Sequence, residues 1–573
     1  MNRIWLEHYP PGVPAEINPA EHPSLLHLLE QSIERYRDRP CFTCMDRTLT
    51  YGELDVLGTR FAAYLQQVAR LRHGDRIAIM LPNVLQYPVA ILGALRAGLT
   101  IVNTNPLYTP RELRHQLHDS GARALVILEN FAHTLQHVRG DVGLETVIVT
   151  GVGDLLGFPK STVVNFVLRH LRKQVPEWSL PGAVTFAEAL SKGRYENLVP
   201  VTLGPEDIAF LQYTGGTTGV SKGAVLTHRN LVANVLQAEA WVKPSLEPGE
   251  SFVSIAALPL YHIFALTANS FTMLRLGAHN VMIANPRDFK AFVGELAKHP
   301  FSFFAGVNTL FNALLHTPGF ERLDFGTLRI SLGGGMAVQR AVAEHWKQVT
   351  GNVLLQAWGL TETSPAACIN RPGDDFNGSI GLPIPSTVIS IRDDDGNELP
   401  QGRSGEICVE GPQVMRGYWN RPDETAKVML PGQVLRTGDI GYMDPRGFVF
   451  IEDRKKDMIL VSGFNVYPNE VEGVAVTHPG VLEVAAVAQP DERAGEVVAL
   501  FVVRKDPSLT EEQLIGHCRA ALTGYKVPKR VYFRDELPKT NVGKILRREL
   551  KDQLKPAAGP ATSQPKPVAT VTH

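Results

Sequence analysis

Apolar positions along the first two hundred residues switch repeatedly between two periods. At 24–36, 51–68, 89–98 and 110–120 they recur every three to four residues, the spacing that lays an apolar stripe along a helix. Between these stretches, 77–80, 101–102 and 124–128 are short β-branched runs that read as strands. The same rhythm returns at 278–282, 290–299, 301–304 and 328–332. Such alternation predicts α/β layers with largely parallel sheets. Past about residue 386 the texture changes to short alternating strands, 388–392 and 405–410, with the turn Asp393-Asp-Asp-Gly396 between them, which predicts an antiparallel subdomain. Two further strand-like pieces, 448–451 and 458–461, flank Glu452-Asp-Arg-Lys-Lys-Asp457, six charged residues in a row. That run predicts a solvated connector, with a charged hairpin tip as the alternative. About a hundred residues of smaller α+β character follow, ending in a helical 545–554. The tail 555–573 carries four prolines and no aromatic residue, which predicts disorder.

The expected fold is therefore α/β: a large N-terminal domain (1–452) of α/β subdomains plus a β-rich subdomain, a hinge at 453–457, and a small mobile α+β C-terminal domain (458–554) before the tail. Length agrees, since 573 residues exceed one compact domain. Charge narrows the function classes. Lys plus Arg is 57 and Asp plus Glu 58, so the chain lacks the basic footprint of non-specific nucleic-acid binding. Five scattered cysteines make no disulfide framework, so the expected setting is a reducing cytoplasm, with the lone Cys41-x-x-Cys44 pair read as structural. The start of the chain lacks the pattern of a signal peptide.

Two segments bear on membranes. Residues 251–274 carry no formal charge, but Pro259, Tyr261, His262 and Asn269 sit where a span should be most apolar, so the segment reads as a buried strand, a loop and a helix start. Residues 155–176 hold no acidic residue and combine Lys160, Arg169, Arg172 and Lys173 with Phe158, Val163, Phe166, Val167 and Leu171. Either an ordinary surface helix or peripheral contact with an anionic membrane fits that composition.

The strongest chemical signal is Tyr213-Thr-Gly-Gly-Thr-Thr-Gly-Val-Ser-Lys-Gly-Ala224, which follows an apolar strand at 208–211. Glycines let backbone amides turn inward around an anion, and hydroxyls and an ammonium add donors, so this is phosphate-loop chemistry. The Gly-x-x-x-x-Gly-Lys-Ser/Thr spacing of the common P-loop is absent. A strand at 224–226 and a helix after Thr227 should follow. In Gln356-Ala-Trp-Gly-Leu-Thr-Glu-Thr-Ser-Pro365, Trp358 offers a stacking face, Thr361 a donor, and Glu362 a hard oxygen suited to Mg²⁺. Gly333-Gly-Gly335 permits close approach of a flat ligand or makes only a tight turn. Asp439 in Arg436-Thr-Gly-Asp-Ile440 can accept two ribose hydroxyls or serve its own turn. Lys544 stands on a Gly/Asn loop before the last helix, and His262 lies in apolar surroundings that suit a core histidine.

In order and content, 213–224, Trp358 to Glu362, Thr437-Gly-Asp439, Asp453-Arg-Lys-Lys-Asp457 and Asn541-Val-Gly-Lys544 resemble the successive motifs of adenylate-forming enzymes, a superfamily that includes acyl-CoA synthetases and luciferases. The blocks 453–472, 258–266 and 306–313 resemble bacterial long-chain fatty-acyl-CoA synthetases in particular. The resemblance implies that fatty acid and ATP give acyl-adenylate and pyrophosphate, and that CoA sulfur then displaces AMP. It implies that Thr214, Gly215, Gly216, Thr217, Thr218, Gly219, Ser221 and Lys222 hold the β- and γ-phosphates, with Tyr213 also in the nucleotide site. Gly333, Gly334, Gly335, Trp358 and Gly359 would frame the adenine, Thr361 would touch the α-phosphate, and Glu362 with Thr214 would hold Mg²⁺. Asp439 and Arg454 would take the ribose, and Lys544 would bridge carboxylate and α-phosphate. His262 and Gly306 would border the acyl site and Gly463 the pantetheine channel, with Lys456 as the pivot between half-reactions. One departure is Trp358, where the family more commonly has Tyr. ATP, Mg²⁺, CoA and fatty acid are the implied ligands; a homodimer stays open. Two alternatives stand beside this reading: a ligase for aryl or branched acids on the same scaffold, and a catalytically silent acyl-binding protein.

Overall fold

The computed structural model describes residues 3–214, 221–246, 252–462, 464–491, 493–540 and 543–554. The chain divides into two compact units, Met1–Glu452 with Asn541–Lys544, and Asp453–Thr540 with Ile545–His573.

Two large sheets form the frame of the first unit. Runs such as Ala124–Leu128, buried at every position, can only sit inside a sheet covered on both faces. That strand belongs to a seven-stranded sheet, ordered Val184–Thr185, Thr146–Thr150, Ala124–Leu128, Arg76–Met80, Thr100–Asn103, Ile208–Thr214 and Lys222–Thr227. All neighbours are parallel except the last two, which make an antiparallel hairpin. The covering helices begin where the sequence supplies caps. Thr109 and Glu112 close a capping box on Pro110–Ser120, and Thr50 with Glu53 does so on Tyr51–Ala63. The nine-stranded sheet has a parallel centre, in which Leu354–Gly359, Ile330–Gly333, Phe303–Gly306, Val253–Ala256 and His279–Met282 lie side by side. An antiparallel sheet around Val388–Arg392, Gly405–Glu410 and Val434–Met443 completes this unit.

Segment 252–274 is the strand Val253–Ala256, a loop and a helical stretch from Ile263 to Arg275, and Cys41 and Cys44 are buried thiols. Among the described residues no helix is long and apolar enough to cross a membrane.

The second unit pairs the long strands Val481–Asp491 and Gly495–Arg504, adds Arg530–Arg534 in parallel, and packs the helices Pro468–Ala475, Glu511–Ala521 and Arg547–Gln553 around them. Here the charged run departs from expectation. Glu452 to Arg454 end the strand Val449–Arg454, and Asp453 is fully buried rather than solvated. It is tolerated inside because the amides of Arg454 and Asn469 donate to it at 2.7 Å and the Arg547 guanidinium lies 3.9 Å away. Only the turn at Lys455 and Lys456 is exposed. The last helix starts at Arg547 instead of 545, because Ile545 bridges to Lys539 and the Leu546 amide donates to Pro538. The tail 555–573 lies outside the described residues.

Candidate active site

Ligands of open α/β sheets bind beyond the carboxyl ends of parallel strands. There the register sets Gly306 beside Gly333, and Gly333 beside Gln356, two residues before Trp358. The Gly334 amide donates to the Gly306 carbonyl at 3.1 Å, tying the two strand ends together. Two of the three glycines answer to packing. A Cβ at Gly333 would lie 2.5 Å from Val338, and one at Gly334 would lie 2.8 Å from the Phe264 ring. Gly335 turns the chain out of the sheet with φ +74°, a conformation that favours glycine. At Gly359 the Pro365 carbonyl occupies the place of a side chain.

Trp358 and Asp439 come from different sheets and meet directly. The indole Nε1–H donates to Asp439 Oδ2 at 2.9 Å, and the carboxylate is 2% exposed. Asp439 is set by its own turn as well, since its amide donates to Thr437 Oγ1, whose hydroxyl donates to the Ile407 carbonyl. The indole that replaces the family's usual tyrosine therefore keeps a polar handle on this carboxylate.

The hairpin carrying the phosphate-loop motif pairs Thr214 with Lys222 at its loop end. Gly215, Gly216, Thr217, Thr218 and Gly219 lie outside the described residues, as does Gly463; Ser221 is half-buried, and its carbonyl lies 3.1 Å from His115 Nε2. Tyr213 points its hydroxyl at Asp119, 2.6 Å away, and burial with this hydrogen bond pushes the phenol up. What Tyr213 provides is support for the hairpin, because Arg421 and Trp419 also donate to Asp119. Backbone bonds then lay 416–419 along the hairpin's outer strand: Arg416 and Val225, Val225 and Gly417, Trp419 and Gly223.

This pairing places Tyr418 at the centre of the site. Its hydroxyl donates to Glu362 Oε1 at 2.6 Å, and its ring lies 5.1 Å from the Lys222 ammonium. Burial and the Glu362 carboxylate push the Tyr418 phenol up, so it stays a donor. Lys222 forms an ion pair with Glu424, and Lys222 and then Lys427 hold the Glu424 carboxyl down to about 2. Glu362 is fixed from its main chain too, where Met415 donates to its carbonyl at 2.8 Å, and Thr361 shares its short turn, Thr361–Thr363. None of Tyr418, Glu424, Asp119 or Arg421 stood out in the sequence. Only the aromatic pair at 418 and 419 after Gly417 was a signal, and it carries no spacing rule.

His262, expected at the acyl site, caps the turn at Ile263, its Nδ1 accepting from the Phe264 amide. Burial and the Lys544 ammonium push the His262 imidazole down to about 4, so it is neutral. Next to Lys544, the Gly543 carbonyl accepts from Thr309 Oγ1 at 3.3 Å. Gly306 adjoins this region, a Cβ there lying 2.9 Å from the Phe311 ring. Arg454 and Lys456 fall in the second unit. Among the described residues no cluster of three or more His, Cys, Asp or Glu could cage a metal ion.

The sequence pattern of the AMP-binding enzyme family matches residues 29–419. The chain belongs to this family. That of the AMP-binding enzyme C-terminal domain matches 470–544. The chain is 57% identical over 554 residues to a long-chain-fatty-acid–CoA ligase of Escherichia coli O6:H1, covering 96% of this chain and 98% of that one. It is 50% identical over 557 residues to the enzyme of that name from Haemophilus influenzae, covering 96% and 99%. Among solved structures, the anthranilate CoA ligase AuaEII in complex with anthranoyl-AMP superposes with a TM-score of 0.83 at 25% identity, covering 94% and 99% of the two chains.

Proposed function

We propose that this chain is a long-chain fatty acid–CoA ligase that forms an acyl-adenylate from fatty acid and ATP, then the CoA thioester, releasing pyrophosphate and AMP. What supports the reading is membership of this family with relatives at 50–57% identity bearing that name, together with the Trp358–Asp439 pair and the Lys222–Tyr418–Glu362 cluster.

A carboxylate and an α-phosphate repel each other, so attack requires cations aimed at the charge that builds up. Lys544 supplies one, and neutral His262 beside it leaves that ammonium to the reacting carboxyl and phosphate. Asp439, held by Trp358, accepts the ribose hydroxyls, and Lys222 with Ser221 and the hairpin loop takes the terminal phosphates. The donor set fits magnesium: Glu362 is a hard oxygen ligand steadied by Tyr418, and Mg²⁺ commonly takes one or two carboxylates plus substrate phosphates instead of a protein cage. Bound there with Glu362 and Thr214, Mg²⁺ would neutralise phosphate charge. Lys544 must then leave the carbonyl for the CoA sulfur to reach it. The turn at Lys456 is the pivot in this proposal, with Arg454 completing the ribose contacts and Gly463 bordering the thiol's path.

The test is pyrophosphate release and CoA consumption by the purified protein against straight-chain acids of increasing length and a benzoate series. A long-chain optimum with both products supports the reading. Preference for a benzoate-type acid overturns the substrate class, and absence of pyrophosphate overturns the chemistry.

A further inference from the structure

One surface segment is built the wrong way round for an ordinary surface helix. The helix Lys160–Phe166 and the wide turn Val167–Leu171 that continues it bury no residue fully. Val164 packs on the core, yet much of the segment's attachment is polar. Asn165 accepts from the Gly153 amide and donates to Asp154, both at 2.8 Å, and Arg169 grips the buried Glu129 through two nitrogens at 2.6 and 2.9 Å. The large apolar side chains face solvent instead. Phe158 is 89% exposed, Leu171 68%, Val163 56% and Phe166 54%. Apolar groups gathered this way on a surface mark an interaction site.

Charge identifies the partner. Residues 155–176 contain no Asp or Glu. Of the basic residues in this stretch, Arg169 is committed to Glu129 and Lys160 pairs with Asp46, whereas Arg172 and Lys173 stand exposed just past the apolar group. Exposed aromatic and aliphatic groups edged by cations match the boundary between acyl chains and anionic headgroups. We propose that 158–173 is a docking surface for an anionic lipid bilayer, inserting Phe158, Val163, Phe166 and Leu171 while Arg172 and Lys173 meet the headgroups. The docking stands on this surface alone; its use, collecting a membrane-partitioned acyl substrate, rests on the ligase reading.

The experiment is co-sedimentation of the full chain, without ATP or acid, with vesicles of about three parts phosphatidylcholine to one part phosphatidylglycerol, and with phosphatidylcholine alone. We expect binding to the anionic vesicles that weakens in high salt and falls at least tenfold without the phosphatidylglycerol. A cation near an anionic surface is worth about fivefold in binding, so R172E/K173E should lose ~25-fold or more. F158S/F166S should lose binding at unchanged net charge. These positions are exposed, so the variants should melt with the parent and turn over a short, water-soluble acid at the parent rate. Parent-like sedimentation of both variants, or no sedimentation of the parent, overturns the proposal. So does a concentration-dependent dimer abolished by F158S/F166S, which would make the surface a contact between copies. Because binding is read without catalysis, failure of the ligase reading would leave this result unchanged.

Discussion

Replacing Trp358 by Phe keeps a flat ring but deletes Nε1, the donor 2.9 Å from Asp439 Oδ2. The carboxylate is 2% exposed, so water cannot readily take the donor's place. A hydrogen bond to a charged group contributes about 1.5–3 kcal/mol, and each 1.4 kcal/mol is tenfold, so loss of ribose recognition should raise the KM for ATP by about 10–100-fold. The smaller ring also leaves a void, which lowers stability whether or not the bond matters. A cycle of W358F, D439A and the double variant, read by pyrophosphate release at varied ATP, separates the two effects. A coupling of about 1.5 kcal/mol or more is expected, because either single change breaks the same contact; values within about 0.5 kcal/mol of additivity would refute the clamp. W358Y restores a hydroxyl and should fall nearer the parent than W358F does. Indistinguishable Tyr and Phe variants would likewise count against the argument.

Lys544→Ala should lower the adenylation rate by about 10²–10³ while leaving nucleotide binding mostly in place, which single-turnover pyrophosphate release and equilibrium ATP titration would resolve. Tyr418→Phe removes the 2.6 Å bond to Glu362, and about 1.5–3 kcal/mol should appear as a higher Mg²⁺ requirement in a metal titration of the rate. Asp453 gives a pH signature in stability. Burial raises its carboxyl from about 3.8 to about 6, against the pull of Arg547 and with Glu472 adding to the rise. The folded state therefore holds a proton that the unfolded state has lost between those values. Stability from this group is complete below about pH 4 and falls by about 3 kcal/mol as pH rises past 6. Asp453→Asn should flatten that part of the melting-temperature profile, and an unchanged slope would reject the assignment.

The strands were legible because their information is local. The sheets leave Ala124–Leu128, Val388–Arg392 and Gly405–Glu410 with the limits that alternation and β-branching mark, and Pro110–Ser120 begins at its cap. Where polar side chains serve the interior, the pattern misleads. The expected helix at 89–98 is Gln86–Arg96, whose first residues Gln86 and Tyr87 are polar yet fully buried, the Gln86 amide nitrogen donating to the Gly151 carbonyl and the Tyr87 hydroxyl bonding Asn103 and Leu260. The same cause hid Asp453, which beyond its neighbour Arg454 accepts from the Asn469 amide and pairs with the Arg547 guanidinium, both outside the charged run.

The site divides along the same line. Residues whose chemistry follows from a short motif, such as Lys222, Glu362 and Lys544, can be proposed from the sequence. Their supports could not, because each is a contact between distant segments: Tyr213 with Asp119 at a separation of 94 residues, Trp358 with Asp439 at 81, Tyr418 with Glu362 at 56, Lys222 with Glu424 at 202. The last of these changes how the proposed phosphate cradle would work. Lys222 holds a carboxylate of its own chain, and with Lys427 it holds the Glu424 carboxyl down to about 2, so that carboxylate is ionised at any working pH. Phosphate binding then exchanges one anionic partner for another and does not fill an uncompensated charge. Part of the attraction is already spent on Glu424, so affinity falls relative to a bare ammonium. Discrimination rises in return, because a ligand must bring enough negative charge to displace a carboxylate tethered by Lys427 as well. A triphosphate meets that condition better than a monophosphate, the direction a cycle needs when it ends by releasing AMP.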